Sequence, residues 1–197
     1  MSDDADLDAA AAAIDRGDLV VYPTETVYGL GADALDPDAV ERVYAVKGRD
    51  RSKPISLGVP SVEAALEYTA PTARERRFMH EFLPGPVTVV VDRREMVPDV
   101  LTAGSDRVGV RIPDHEVALA LLEAADAPIS ATSANLSGTG SVRRVAELDE
   151  SVRDSVAAIL DAGETPGTES TVVDVEAGEV HRRGAMADEI EAWLDAN

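Results

Sequence analysis

The chain has 197 residues, no cysteine, and a formal net charge of −20 from 38 acidic and 18 basic residues. The length suits one domain with a packed core, and the missing cysteines exclude disulfides and thiolate metal sites. So negative a surface disfavours nucleic acid and anionic membranes as partners over most of its area.

The first stretch, MSDDADLDAAAAAIDRGD, is acidic where a secretory signal would begin basic, and no apolar run is long enough to span a bilayer. A cytoplasmic protein with no membrane partner is expected. Residues 5–16 predict an amphipathic helix with Leu7 and Ile14 on its apolar side and Gly17 as its stop. LVVYP reads as a buried strand ending at Pro23, and TETVYGLGADAL as a glycine-punctuated loop. A helix is expected over residues 37–47, with Val40, Val43 and Val46 at helical spacing. ISLGV is the next strand, followed by helices over residues 61–68 and 71–82. PGPVTVVVD is a turn feeding a buried strand, and VGVRIP is a strand closed by Pro113. Asp114 is expected to cap a helix that reaches residue 125. APISATSANLSGTG is a short strand entering a small-residue loop. AAILD, STVVDV and EVHRRG read as three late strands, and a last helix covers residues 186–194. Strands alternate with helices, yet late strands also follow one another, which predicts an α/β domain with a mixed sheet. With no repeat and no linker, residues 1–197 read as a single domain.

Five stretches carry chemistry. In YPTETVYGLGADA, two threonines, a glutamate and a tyrosine lie between a buried strand and a glycine turn, either as a ligand loop or as a turn whose hydroxyls bond their own backbone. KGRDRSKP holds Lys47, Arg49, Arg51 and Lys53, and Lys47 and Lys53 are the chain's only lysines. On so acidic a chain such a cluster is either a solvated face or an anion site, with a triphosphate the natural occupant. Lys47 and Arg49, at a solvent-accessible helix exit, are expected to act on an anionic transition state and not on folding. In VGVRIPD, Arg111 either pairs with an internal carboxylate or holds a ligand's carboxylate, with Arg107 at the rim. ISATSANLSG offers Thr132, Ser133, Asn135 and Ser137; no histidine base is near in sequence, so Ser133 is not read as a covalent nucleophile. TPGTESTVVD and HRRG place Ser170, Thr171, Asp174, Arg182 and Arg183 at strand ends.

There is no GxxxxGK[ST] and no GxGxxG after the first strand, so any nucleotide is held without either fingerprint. His80, His115 and His181 stand in no metal-ligand spacing, and no metal site is expected. The acidic, lysine-poor composition suits a high-salt cytoplasm, where a Debye length of roughly 3 Å at about 1 M salt screens the repulsion. Thermal stability is then expected to rise with potassium chloride.

Taken in order, LVVYPTETVYGLGADA, KGRDRSKP, PGPVTVVV, VGVRIPDH, SATSANLSG, STVVD and RRG resemble the YrdC-like family of threonylcarbamoyl-AMP synthases, over nearly the whole chain. The resemblance implies a YrdC-like twisted mixed sheet with flanking helices around a large basic cavity. It implies that L-threonine, bicarbonate and ATP with Mg2+ give threonylcarbamoyl-AMP and pyrophosphate, for N6-threonylcarbamoyladenosine in tRNA. A downstream threonylcarbamoyl transferase complex would use the product. Carried over by motif, Lys47, Arg49, Ser133 and Asn135 match the family's catalytic tetrad. Thr26, Arg111, Ala131 and Ser170 match threonine contacts, and Arg49, Lys53, Arg107, Ser133, Ser141 and Arg183 match ATP contacts. Gly58 stands where some relatives carry a side-chain threonine ligand. Two other readings are a paralogous YrdC-like enzyme working through another carbamoyl adenylate, and a YrdC-like module that binds RNA directly without catalysis.

Overall fold

The computed structural model describes residues 4–197. The chain opens with α1 (Asp4–Asp15), then β1 (Val20–Tyr22) and β2 (Gly29–Gly31), which pair antiparallel. The middle of TETVYGLGADAL is thus a buried strand and not the plain loop expected. Its glycines are there for crowding. A Cβ on Gly29 would stand 2.8 Å from the Tyr22 ring, and one on Gly31 2.3 Å from Ile129 Cγ2. Only glycine fits at those two positions, while Leu30 between them packs into the main core.

Next comes α2 (Pro37–Lys47), with Asp36 accepting from Asp38 N, Pro37 in the first turn and Gly48 at the left-handed cap (φ 55°). β3 (Ser56–Gly58), α3 (Val62–Tyr68) and α4 (Ala73–Phe82) follow, α4 opening on a reciprocal Thr72–Glu75 capping box. β4 (Val87–Asp92) and β5 (Arg107–Arg111) flank the short α5 (Asp99–Thr102). α6 (Glu116–Ala124) is capped at His115 with no side-chain cap bond. Asp114, expected to cap it, lies one residue before the capping position. β6 (Ile129–Ser133), α7 (Glu150–Ser155), β7 (Ala158–Ile159), β8 (Thr171–Asp174), β9 (Glu179–Arg182) and α8 (Ala187–Ala196) complete the order.

The strands form one mixed sheet in the order β7-β1-β2-β6-β3-β5-β4-β8-β9. The late strands separate: β7 runs parallel to β1 at one edge, while β8 and β9 close the other. On one face Leu57, Val89, Val91, Val108, Val110 and Val173 join Phe78, Met79 and Trp193 in the main core. On the opposite face, α1 and α6 pack Ile14, Leu121 and Leu122 against Val20, Tyr22 and Ile129. Because side chains alternate along a strand, Ser56, Gly58, Thr88, Gly109, Arg111 and Ala131 point away from the main core and line a cavity. Among the described residues no helix is long and apolar enough to cross a membrane.

Candidate active site

The cavity has a volume of about 410 Å³, and its floor is built from small residues of β3, β4, β5 and β6. A Cβ on Gly109 would lie 2.9 Å from both Ser56 Oγ and Thr88 Cγ2, so a side chain there would take up floor space. Arg49, Arg107, Arg111 and Arg182 line the walls against a single carboxylate, Glu169. Behind the wall, Glu75, Asp92 and Asp174 pair with Arg107, and Glu25 with Arg111.

Arg111 is 8% exposed. Its Nη1 donates to the carbonyls of Gly85 and Val87 (3.3 Å to the latter), and its Nη2 to Glu25 Oε1. Nε–H and one Nη2–H are left over, two donors suited to a ligand carboxylate. Thr26 sits beside it in an internal hydroxyl turn. Thr24 donates to Val27 O (2.6 Å), so Thr26 is the donor in the 2.8 Å Thr24–Thr26 bond and keeps its lone pairs for a ligand. Arg182 donates to Ser170 O (3.0 Å) and Ser170 Oγ (2.8 Å), and Ser170 lies 3.3 Å from the hydroxyl of Thr88, the β4 residue paired with Arg111. Arg49 is fastened to the carbonyls of Lys53 (3.1 Å) and Pro54 (2.9 Å). Burial, and then the like charge of Arg182 set against Tyr44, hold the Arg49 guanidinium below its ordinary value. Among the described residues no carboxylate bonds Arg49, and Arg182 has only Glu169 at 4.0 Å, so the two guanidiniums make a place for a polyanion. At the floor, burial pushes the Tyr22 phenol up to about 12.

The Sua5/YciO/YrdC family model, described as "Telomere recombination", matches residues 12–184. The chain belongs to this family. It is 46% identical over 169 residues to the threonylcarbamoyl-AMP synthase of Pyrococcus abyssi, covering 84% of this chain and 49% of that protein. It thus spans about half the length of that relative. The threonylcarbamoyl-AMP synthase of Vibrio parahaemolyticus is 31% identical, with 87% of this chain and 95% of that protein covered. Among solved structures, P. abyssi Sua5 complexed with L-threonine superposes with a TM-score of 0.88 at 42% identity, over 95% of this chain and 56% of that one.

In this Sua5/YciO/YrdC chain the residues expected at the site separate into groups. Thr26, Arg49, Arg107, Arg111, Ala131, Ser133 and Ser170 meet around the cavity. Lys47 does not face it: the residue is 2% exposed, and its Nζ donates to the carbonyls of Ser133 and Asn135 (2.5 Å to the latter). At the exit of α2 Gly48 and Asp50 are exposed, as expected, but the Lys47 side chain is covered by the loop after β6. Burial, with Arg49 next, lowers the Lys47 ammonium to about 8. Asn135 is also turned inward, accepting from Ser133 Oγ and donating to Leu136 O (2.8 Å) and Thr139 O (2.9 Å). Lys47 and Asn135 therefore shape the loop that presents Ser133. Ser141 shares with Asn135 a second, smaller cleft of about 260 Å³. Lys53 is exposed and off the cavity wall.

Two expected ATP contacts are occupied elsewhere. Arg107 lines the cavity but bonds Glu75 (2.8 Å), Asp174 (3.1 Å) and Asp92 (3.2 Å), so its charge is balanced before any phosphate arrives. Arg183 pairs with Asp188 (2.6 Å) and Glu191 on the outside, and its neighbour Arg182 is the one on the cavity wall. EVHRRG carried no signal for that choice: β9 ends at Arg182, and its successive residues His181 and Arg182 both line the cavity. At Gly58 a Cβ would come within 3.1 Å of Ile129 O, so the cavity floor is tight there.

Proposed function

We propose that this chain makes threonylcarbamoyl-AMP and pyrophosphate from L-threonine, bicarbonate and ATP, supplying the N6-threonylcarbamoyladenosine modification of tRNA through a downstream transferase complex in the cytoplasm. The observation that carries this reading is the set of guanidinium donors on one cavity in a chain related to threonylcarbamoyl-AMP synthases. Arg111, beside Thr26, offers its two leftover donors to a carboxylate. Arg49 and Arg182 offer theirs to a polyphosphate.

The chemistry needs no protein nucleophile. The threonine nitrogen, once deprotonated, bonds to the carbon of bicarbonate or of carbon dioxide derived from it, giving a carbamate and releasing water or protons accordingly. A carbamate oxygen then bonds to the α-phosphorus of ATP as the bond from that phosphorus to the bridging oxygen of the β-phosphate breaks, and pyrophosphate leaves with that oxygen. Arg111 and Thr26 hold the amino acid, Arg49 and Arg182 hold the phosphates, and Ser133 and Ser170 orient the groups between them. Holding three anionic reactants in line is the main contribution of the site. Magnesium enters with the nucleotide as MgATP. Among the described residues Glu169 is the one carboxylate lining the cavity, and it would be the side chain available to such an ion, which would supply charge neutralisation at the phosphates.

Pyrophosphate release should require threonine and bicarbonate together. Equal release with threonine omitted would sink this assignment.

A further inference from the structure

Among the described residues three tyrosines are buried, Tyr22, Tyr28 and Tyr44, and two of them have committed hydroxyls. Tyr28 meets Asp161 (3.0 Å) and the Gly163 carbonyl (2.8 Å), and Tyr44 donates to the Lys53 carbonyl (3.0 Å). The Tyr22 hydroxyl bonds no described residue, although the residue is only 3% exposed. Nor is it one of the polar atoms sealed from solvent, so the exposure it keeps opens on the cavity that Tyr22 lines. A phenol placed so deeply needs a hydrogen-bond partner, and only an occupant of the cavity can supply one. The seat of the ring points the same way. A Cβ on Gly29 would stand 2.8 Å from Tyr22 Cζ and 3.1 and 3.2 Å from its two Cε atoms, so the hydroxyl end of the ring lies over Gly29. Another on Gly31 would stand 3.2 Å from Cε1. These two glycines let the ring reach across β2, and Gly29 pairs in turn with Ser133 of β6, itself on the cavity.

We propose that the Tyr22 hydroxyl is the floor contact for the one-carbon reactant, donating a hydrogen bond to an oxygen of bicarbonate and then of the carbamate made from it. This rests on the reading of the cavity as the site that makes threonylcarbamoyl-AMP. In that reading Arg111 and Thr26 take the amino acid's carboxylate and Arg49 and Arg182 take the phosphates, which leaves the carbon between them without a donor of its own. A neutral donor suits that place. A further guanidinium would draw in the triphosphate, whereas a phenol offers a single O–H and no net charge. Burial pushes the phenol up to about 12, so at neutral pH it keeps its proton and adds no anion beside anionic reactants. Holding one carbamate oxygen on the floor leaves the other to bond to the α-phosphorus.

The test is pyrophosphate release with sodium bicarbonate varied in buffer freed of carbon dioxide, on the parent and on Tyr22→Phe, which removes one atom and keeps the ring on its glycine seat. KM for bicarbonate should rise about tenfold, with KM for threonine and for ATP within about twofold and kcat at saturating bicarbonate within about threefold. Tm should stay parental, because the lost hydroxyl bonds no described residue. An unchanged bicarbonate KM overturns the proposal and leaves the hydroxyl to a cavity water. So does a threonine or ATP KM that rises with it or in its place. A marked fall in Tm also overturns it, since the hydroxyl would then have a structural partner. Parental turnover that ignores bicarbonate would sink the proposed function itself. Parental turnover that needs bicarbonate, matched by an equal response in Tyr22→Phe, would sink this contact alone.

Discussion

The two ends of β5 each carry an arginine on the same cavity, and the two have different work. At the far end Arg111 has one carboxylate and two backbone carbonyls, which leaves donors over. At the near end Arg107 is held by Glu75 of α4, Asp92 of β4, Asp174 of β8 and the Val90 carbonyl (2.6 Å). Glu75 is 1% exposed and also closes the capping box of α4, so Arg107 ties that helix to the sheet. A cation on a cavity wall binds ligand only with the charge and donors its own protein has not already used. Arg111→Lys keeps a charge but loses the fork, and should lower kcat/KM for threonine about a hundredfold, or about 2.7 kcal/mol. Arg107→Met should instead leave Glu75 buried without its partner and cost roughly 3 kcal/mol of stability, with turnover per folded molecule nearly parental. Denaturation and kinetics on both variants would erase the contrast if the two effects were exchanged.

The same contrast recurs within three residues of chain. Lys47 is enclosed by the loop after β6, while Arg49 reaches the cavity. Arg49→Ala should lower kcat/KM about tenfold with little change in stability. Lys47 should show itself through pH. Its value of about 8 in the folded chain lies below the ordinary 10.5. Below pH 8 both folded and unfolded chains carry the proton, and the penalty of burying the charge is fully present. Between pH 8 and 10.5 the folded chain releases its proton first, so stability rises with pH through that window. Measured as the difference between the parent and Lys47→Met, which cancels other titrations, the gain should approach about 3 kcal/mol. A flat difference across the window would mean that the ammonium is not desolvated as its enclosure implies.

These cases also show what a sequence can disclose. The helices over residues 37–47 and 71–82 were legible because apolar spacing, proline and capping residues agree. β2 was not, since Gly29 and Gly31 carry the signature of a turn and only the neighbouring Tyr22 and Ile129 side chains reveal why glycine is needed. The short α5 and α7 have too few residues to show a period. At the site, motif order brought Thr26, Arg111, Ala131, Ser133 and Ser170 to one cavity. It could not show which cations were free, because that depends on carboxylates far away in the chain. Glu75 is 32 residues from Arg107, and Glu25 is 86 from Arg111.

The smallest expected effect tests the rule at two adjacent residues. β9 ends at Arg182, which lines the cavity, while Arg183 lies beyond the strand and turns outward, where Asp188 and Glu191 of α8 meet it in solvent. Exposed pairs of this kind contribute little and are screened by salt. Arg183→Ala should therefore keep parental kcat/KM and lower Tm slightly at low ionic strength, with the difference gone at about 1 M potassium chloride. Arg182→Ala should lower kcat/KM for ATP about tenfold, and the loss should persist in salt because the Ser170 contacts place that guanidinium on the wall. Should Arg183→Ala be the variant that loses turnover, the ligand must reach beyond the cavity wall to the α8 side. The division between committed and available cations would then fail at the one place where two candidates differ by a single residue.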